Sequence, residues 1–403
     1  MKNLKKGIFA KKLLALFFVA SISLCANMYS SPASAACGTL PSKYSSPMVE
    51  NKNQQRNGTC WAFAVIATLE TFLKKNSLYK EPLSEQHMSA LCSRGPSDFG
   101  WQDLKHNGSF CAASAYLTAG SGPVSGHVCP YDYDKIEFNQ DLLNITPLFW
   151  VYGIKDVDKD VDSIKQAVAK YGAVAAVIIV NDIYYHAVSI VGWDDAEQKW
   201  LVKDSAKNPN NYRWIPYLTT IKALMCMTDV RKFDDKLKRY QHDEYGVTWF
   251  WDYCSKNATI SNVFDFEGNE KLESVMINSN SPNVQISLYL APVLSNGAPN
   301  EDKSTWQHLH NGYVPYSGYF SFSLKNKVKL NKGKYAIIAQ MSQTDKSSNP
   351  HIGYMAPSEK LNLGNNNPGK SFVLVNNKFY DVTSLQNCNS IHGFSIKAET
   401  RRL

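Results

Sequence analysis

The sequence predicts an α+β protein in which a mixed helix-and-strand region precedes a β-sandwich, and three observations carry this. Between about residues 50 and 235, apolar positions recur at helical spacing in some stretches and run together as buried-strand segments in others. From about residue 258 onward the apolar positions alternate, punctuated by polar turn clusters. Finally, 44% of the 403 residues are hydrophobic and 12% aromatic, while 19% are charged. The charged share lies below the globular average of roughly 25%. More than one sizeable core can therefore be buried, and a disordered, fibrous or coiled-coil chain is excluded.

The elements follow in order. Trp61, Val65, Leu69 and Phe72 fall on one face of a helix, and residues 165–170 suggest another, shorter one. The apolar runs 173–180, 187–191 and 200–202 read as buried strands. Residues 231–239 form a mixed-charge run, read as a solvated connector, and the aromatic-rich stretch 240–253 reads as interdomain packing. Beyond it, Val284, Ile286, Leu288 and Leu290 alternate, as do Phe320, Phe322 and Leu324. The clusters 278–283 and 365–369 mark turns. No internal repeat is evident.

The N-terminus reads as a secretory signal. Lys2, Lys5, Lys6, Lys11 and Lys12 precede the apolar run 13–24 and a small-residue site at Ala33-Ser34-Ala35. Twelve apolar residues fall short of the ~20 that span a bilayer. Cleavage after Ala35 would leave Cys37 near the new N-terminus, where Ser34 fits a lipid-anchor signal poorly. The five lysines account for five of the eight formal positive charges, leaving +3. So small a charge predicts no nucleic-acid or membrane-surface partner. Of nine cysteines, all but Cys25 lie outside the signal, in what would be an oxidising compartment where disulfides form. The sequons at Asn57, Asn107, Asn144 and Asn257 are read as chance matches.

Three segments carry chemistry. In the first, residues 54–64, Cys60 opens a helical pattern after a Gly-containing turn. A helix N-terminus presents unpaired N–H groups and partial positive charge, which favour thiolate over thiol. Nucleophilic attack needs that thiolate, a base and donors for the oxyanion. In the second, His186 opens an apolar strand that ends in Gly192-Trp193. In the third, Asp204 follows the strand 200–203 and could orient an imidazole. Taken singly, a Cys-Trp pair on a helix or a strand-edge histidine is more often structural.

Together these segments resemble the papain-like cysteine peptidases. The resemblance covers Gln54 with Cys60-Trp61-Ala62-Phe63, Leu83-Ser84-Glu85-Gln86, Cys129-Pro130-Tyr131, the strand at His186 and the strand ending at Asp204. Each box alone is weak, but five in the right order are specific. The resemblance implies a two-lobed peptidase domain with a helical lobe and a β lobe. By position it implies Cys60 as nucleophile, His186 as general base and acid, Gln54 as oxyanion donor beside the Cys60 N–H, and Asp204 as the group orienting the imidazole. Residues 240–400 resemble the lectin-like β-sandwich that follows the peptidase domain in some bacterial relatives, through residues 261–264, 316–319, 369–372 and 394–398. The expected organisation is a signal at 1–35, a short segment at 36–50, a peptidase domain at 51–235, a connector at 236–257 and a lectin-like sandwich at 258–403.

The chain departs from the family pattern at instructive places. Asp204 stands where the family usually has asparagine, and a carboxylate there would stabilise the imidazolium and could raise its pKa. The tryptophan that normally shields this pair is absent from Asp204-Ser205-Ala206-Lys207. Asn57 replaces a cysteine that is often bridged, whereas the resemblance gives Cys92 a partner in Cys111 or Cys129. The segment 36–53 is too short for the usual inhibitory pro-segment. Either it plugs the cleft or the enzyme is secreted ready-made.

The expected activity is that of a secreted, extracellular or periplasmic, cysteine endopeptidase acting on protein or peptide substrates through a thioester acyl-enzyme. No cofactor or metal is expected. His308 and His310 have a zinc-like spacing but no apparent third ligand. Trp306, His308, His310 and Tyr313, in an expected loop, form a polar-aromatic cluster compatible with sugar stacking, although packing on the sandwich is the simpler reading. A cell-surface glycan or protein is the partner such a domain would take. Two rivals stand beside this reading. A transglutaminase-like acyltransferase also uses the order Cys-His-Asp. A degraded peptidase scaffold would leave a carbohydrate- or surface-binding protein.

Overall fold

The computed structural model describes residues 39–403 apart from 96–97, 106–107, 207–210, 254, 345–348, 367, 387 and 389. The expected signal, Cys37, Asn107 and Cys254 lie outside the described residues.

Helix α1 (Cys60–Lys75) organises the first half of the chain. Its Ala- and Leu-rich sequence contains neither Gly nor Pro, and Lys74 and Lys75 in its last turn complement the helix dipole. The sequence suggested one apolar face, but every residue from Trp61 to Leu73 is buried. The helix is therefore central, and Thr68 and Thr71 satisfy their hydroxyls on the carbonyls of Ala64 and Ala67 within it. Helices α2 (Glu85–Cys92) and α3 (Phe110–Thr118) pack beside it, capped by Ser84 and Ser109. Helix α4 (Val161–Tyr171) covers the expected short helix and extends it to the Asp160 cap and to Gly172.

The strands of this half are β1 (Lys43–Ser45), β2 (Gly100–Trp101), β3 (Phe149–Asp156), β4 (Val174–Val180), β5 (Tyr184–Asp194), β6 (Lys199–Lys203), β7 (Tyr212–Pro216) and β8 (Ile221–Lys232). Six of them pair antiparallel in the order β3-β8-β4-β5-β6-β7. One face of this sheet packs on α1 through residues such as Ala175, Ala187 and Met225, and the other encloses a second core with α4. Strand β1 pairs with the far end of β5, Ser45 opposite Gly192. A Cβ on Gly192 would sit 2.3 Å from the Tyr44 carbonyl oxygen, so only glycine admits this approach. Residues 43–45 are thus a strand of the domain, and Val49 exchanges hydrogen bonds with the Tyr212 hydroxyl. Residues 43–49 of the segment 36–53 are therefore held along the β lobe.

The second half is a sandwich. One sheet has the strand order 307–314, 284–292, 333–343, 257–266, 371–375, 378–381. It faces strands Glu270–Ser279, Gly318–Leu330 and Ile396–Arg402 across a core that includes Ile286, Leu288, Val275 and Phe322. Trp306, expected in a loop, leads into strand Gln307–Val314. Its ring packs between Tyr289 and Phe379 and its Nε1 donates to the Asn300 carbonyl, as the packing reading expects. Among the described residues no cluster of metal-ligating side chains is present.

The two halves share a sheet. Gly318, Tyr319 and Phe320 pair with Lys155, Ile154 and Gly153 of β3. Gly318 has φ 138°, and a Cβ there would meet the Ile154 carbonyl at 2.0 Å. Arg231, Lys232, Asp235 and Lys236 of the charged run 231–239 are exposed, but its end is not solvated, contrary to the sequence reading. Leu237–Tyr240 pairs with the C-terminal strand, and the Arg239 side chain is 2% exposed. Arg239 donates to Glu399 at 2.9 Å and lies over the Trp150 ring, while Tyr152 of β3 donates to the same Glu399. Through Glu399, Arg239 and Tyr152 tie the two halves together there. Removing one partner of a buried ion pair typically costs about 3–5 kcal/mol. Arg239→Met should therefore lower the unfolding free energy by an amount of that order, measured by urea denaturation, whereas the solvent-exposed Arg402→Met should change it by about 0.5 kcal/mol or less.

Candidate active site

Cys60 is the first residue of α1. The preceding Thr59 occupies the N-cap position but gives the helix no side-chain cap, because its Oγ1 pairs with the Tyr131 hydroxyl at 2.8 Å. The first N–H groups of a helix have no intrahelical acceptor, and here the cap that would consume one is engaged elsewhere. The loop 54–59 is tied down on several sides. Gly58 N–H donates to the Lys105 carbonyl, Asn57 Nδ2 to the Tyr133 carbonyl, and the Tyr131 hydroxyl to the Gln54 carbonyl.

His186 lies near the start of β5, and its side chain is 16% exposed. Its Nε2 is 2.8 Å from Asp204 Oδ1, and Cys60 lies close enough on the other side to help raise the imidazole's pKa. With Nε2 engaged by the carboxylate, Nδ1 is the nitrogen left for sulfur. Burial opposes charge on His186, but Asp204 and Cys60 outweigh it and raise the pKa to about 9. Asp204 is buried. Burial works against its ionisation, yet His186, the Ala206 N–H and Arg213 together hold its pKa at about 2.

Gln54 is buried and held at both ends of its amide. Nε2 donates to the Asn57 carbonyl at 2.7 Å, and Oε1 accepts from Ser205 Oγ at 2.6 Å. The second Nε2 hydrogen remains available. Two residues before it, Lys52 reaches a buried cluster, donating to Glu70 Oε1 at 2.6 Å, Glu85 Oε1 at 2.8 Å and the Leu83 carbonyl. This fixes the approach to Gln54 against α1 and the start of α2. All four residues singled out from the sequence thus fall in one neighbourhood.

Sequence reading missed three supports. Arg213 on β7 donates from Nε to Asp204 Oδ2 at 2.7 Å. Ser205 holds the Gln54 amide, and Tyr131 joins the Gln54 backbone to Thr59. Only the Cys129-Pro130-Tyr131 box carried a sequence signal for any of them. The expected disulfides are a further correction. Cys92, Cys111 and Cys129 are free thiols, as are Cys60, Cys226 and Cys388. Cys92 sits at the end of α2 with Sγ toward the Ala112 carbonyl, and burial pushes its pKa up to about 12.

A helix-borne thiol, a strand-borne imidazole and a buried carboxylate, set between a helical lobe and a β lobe, define the class of two-lobed thiol hydrolases. Residues 41–211 match the papain family of cysteine proteases, and residues 239–400 match the lectin-like domain family. The chain accordingly carries a papain-family cysteine protease domain followed by a lectin-like domain. It is similar over 88% of its length to the clostridial cysteine protease Cwp84 after propeptide cleavage, at 29% identity and TM-score 0.80, covering 97% of that chain. It is likewise similar to a structure of the cysteine protease and lectin-like domains of Cwp84, a surface layer associated protein of Clostridium difficile. There the identity is 28% and the TM-score 0.81, over 91% of this chain and 90% of that one. Stem bromelain of Ananas comosus is 36% identical over 84 residues, which is 21% of this chain and 36% of that protein, so the chain spans about a third of this curated relative.

The pKa values set a pH window. The raised His186 value means that its proton is retained until the pH rises through about 9, and the lowered Asp204 value means that its charge is retained until the pH falls through about 2. Iodoacetamide labelling of Cys60, located by peptide mapping, should therefore show an alkaline limb near pH 9, where the imidazolium loses its proton. In His186→Ala it should fall to the titration of an ordinary thiol near pH 8.5.

Proposed function

We propose that the chain is a secreted cysteine endopeptidase hydrolysing protein or peptide substrates, with Cys60 as nucleophile and His186 as general base and acid. The observation that carries this reading is the line Cys60–His186–Asp204, with the thiol at an uncapped helix N-terminus. In this mechanism the thiolate attacks the peptide carbonyl carbon. The oxyanion receives hydrogen bonds from the Cys60 N–H and Gln54 Nε2. His186 gives its proton to the departing amine, and the C–N bond breaks to leave a thioester. A water molecule, deprotonated by His186, then attacks the thioester, and the thiolate leaves with the imidazolium restored. Asp204 keeps the imidazole in the rotamer and tautomer that this sequence requires.

Export fits the apolar run 13–24 and the small-residue site at 33–35, and it fits the surface-layer association of Cwp84. No helix among the described residues is long and apolar enough to cross a membrane. The lectin-like region is the candidate for contact with a cell-surface glycan or protein. The His186–Asp204 bond, with Cys60 beside the imidazole, favours an active peptidase over a degraded scaffold.

Hydrolysis of a denatured protein substrate by the purified chain tests the proposal. Cys60→Ala should abolish turnover while leaving the thermal melt in place. Gln54→Ala should lose roughly 10²–10³-fold in kcat, the usual cost of one oxyanion donor. Amine incorporation into a glutamine substrate in preference to hydrolysis would instead identify an acyltransferase.

A further inference from the structure

The carboxylate at position 204 raises a problem that the fold has answered. Asp204 is enclosed, its side chain being 1% exposed. A buried carboxylate with a single imidazole partner would be costly, and its full charge would bind the imidazolium proton tightly. His186 must release that proton to the leaving amine, so an over-stabilised imidazolium is a poorer acid. The second oxygen of Asp204 is not left to the imidazole. Oδ1 accepts from His186 Nε2 at 2.8 Å and from the Ala206 N–H at 2.9 Å, while Oδ2 accepts from Arg213 Nε at 2.7 Å. Arg213 arrives there through strand pairing. Val202 of β6 lies opposite Arg213 of β7, and the Asp204 N–H continues the ladder to the Asn211 carbonyl.

We propose that Arg213 is a positioning residue for the Cys60–His186 pair, its guanidinium engaging the second oxygen of Asp204 so that the imidazole faces only part of the carboxylate charge that replaces the family's asparagine. This rests on the peptidase reading for its consequence in turnover, but the pairing itself can be tested on the thiol. The groups facing Asp204 are His186 and Arg213, with Cys60 beyond the imidazole. The neighbouring Lys203 directs its ammonium to the Glu50 carbonyl instead. Arg213 is 31% exposed, so its charge is partly screened and balances Asp204 without cancelling it.

The experiment is a double-mutant cycle between positions 204 and 213 in the full chain, reading both kcat/KM on a peptide substrate and the pH profile of Cys60 alkylation. Arg213→Met leaves the carboxylate unbalanced. It should lower kcat/KM by about ten-fold or more and move the alkaline limb of alkylation, which reports the imidazolium, up by about one unit, because the carboxylate then holds that proton more tightly. Asp204→Asn leaves an unpaired cation beside the imidazole and should move the alkaline limb down. The double variant Asp204→Asn/Arg213→Met restores a neutral acceptor and should outperform both single variants, a coupling that distant independent sites do not show. Arg213→Lys, which keeps the charge, should hold the alkaline limb near the wild-type position even if the methionine variant fails to fold. A wild-type profile in Arg213→Met, or a double variant no better than the worse single one, would overturn the proposal. The alkylation profile remains readable if the chain hydrolyses no peptide, so failure of the peptidase reading and failure of the pairing give different results.

Discussion

The site depends on the packing of α1 along β5. At their contact Thr68 Oγ1 and Ser189 Oγ lie 2.8 Å apart in the buried interface. From Thr68 back to Cys60 is eight residues of helix, about 12 Å at 1.5 Å each. From Ser189 back to His186 is three residues of strand, about 10 Å at 3.3 Å each. The two elements therefore deliver the thiol and the imidazole to nearly the same level from a common fixed point. A helix that is buried all round has no freedom to roll, because any rotation would push large side chains such as Trp61, Leu69 and Phe72 into neighbours already at crystal-like density. The burial that looks excessive for a surface helix is what holds sulfur against nitrogen.

Charge around that axis is arranged so that the helix N-terminus keeps its field. Lys52 is matched to Glu70 and Glu85, Asp204 to His186 and Arg213, and Lys203 to a backbone carbonyl. Buried ions are tolerated only with such partners. Against this thorough pairing, Thr59 stands out for withholding its cap. A serine or threonine at that position ordinarily contributes about 1 kcal/mol by capping. Local rules are broken most often where function needs the group that would have been satisfied. Here the Thr59 hydroxyl is instead bonded to Tyr131, which ties the loop before Cys60 to the Cys129-Pro130-Tyr131 stretch.

What could be read from the sequence follows from how local each signal is. Cys60, His186 and Asp204 each sit at an end of a continuous apolar element, so the helix pattern and the two strand runs placed them before any contact was known. Gln54 was accessible through its fixed distance in sequence from Cys60. Arg213 was not, because it reaches Asp204 through the register between β6 and β7, and nothing in Tyr212-Arg213-Trp214 distinguishes a site cation from a surface one. Arg239 misled for the same reason, since a charged run looks solvated until the strand that pairs with it is known. The cysteines misled differently. An even count in an exported chain suggests bridges, but Cys92, Cys129 and Cys226 are placed as small apolar side chains within separate parts of the packing.

The joint between the halves bears on what a second domain can do for a cleft. A flexible tether would let a peptidase sample many orientations, and the sandwich would then only raise its local concentration at a surface. This chain has no such tether at the joint. Residues 318–320 extend the β3 edge, Leu237–Tyr240 pairs with the C-terminal strand, and Asp243 is locked to Lys397 and Ser395 inside the protein. Backbone pairing fixes direction as well as distance, because a slip of one residue turns every side chain to the other face. At Gly318 the approach is so close that a side chain would collide with the β3 carbonyl, which leaves little room for adjustment. Any surface gripped by the sandwich would therefore be held at a set angle to Cys60 and His186. The orientation is built into the sheet through the pairing of residues 318–320 with β3.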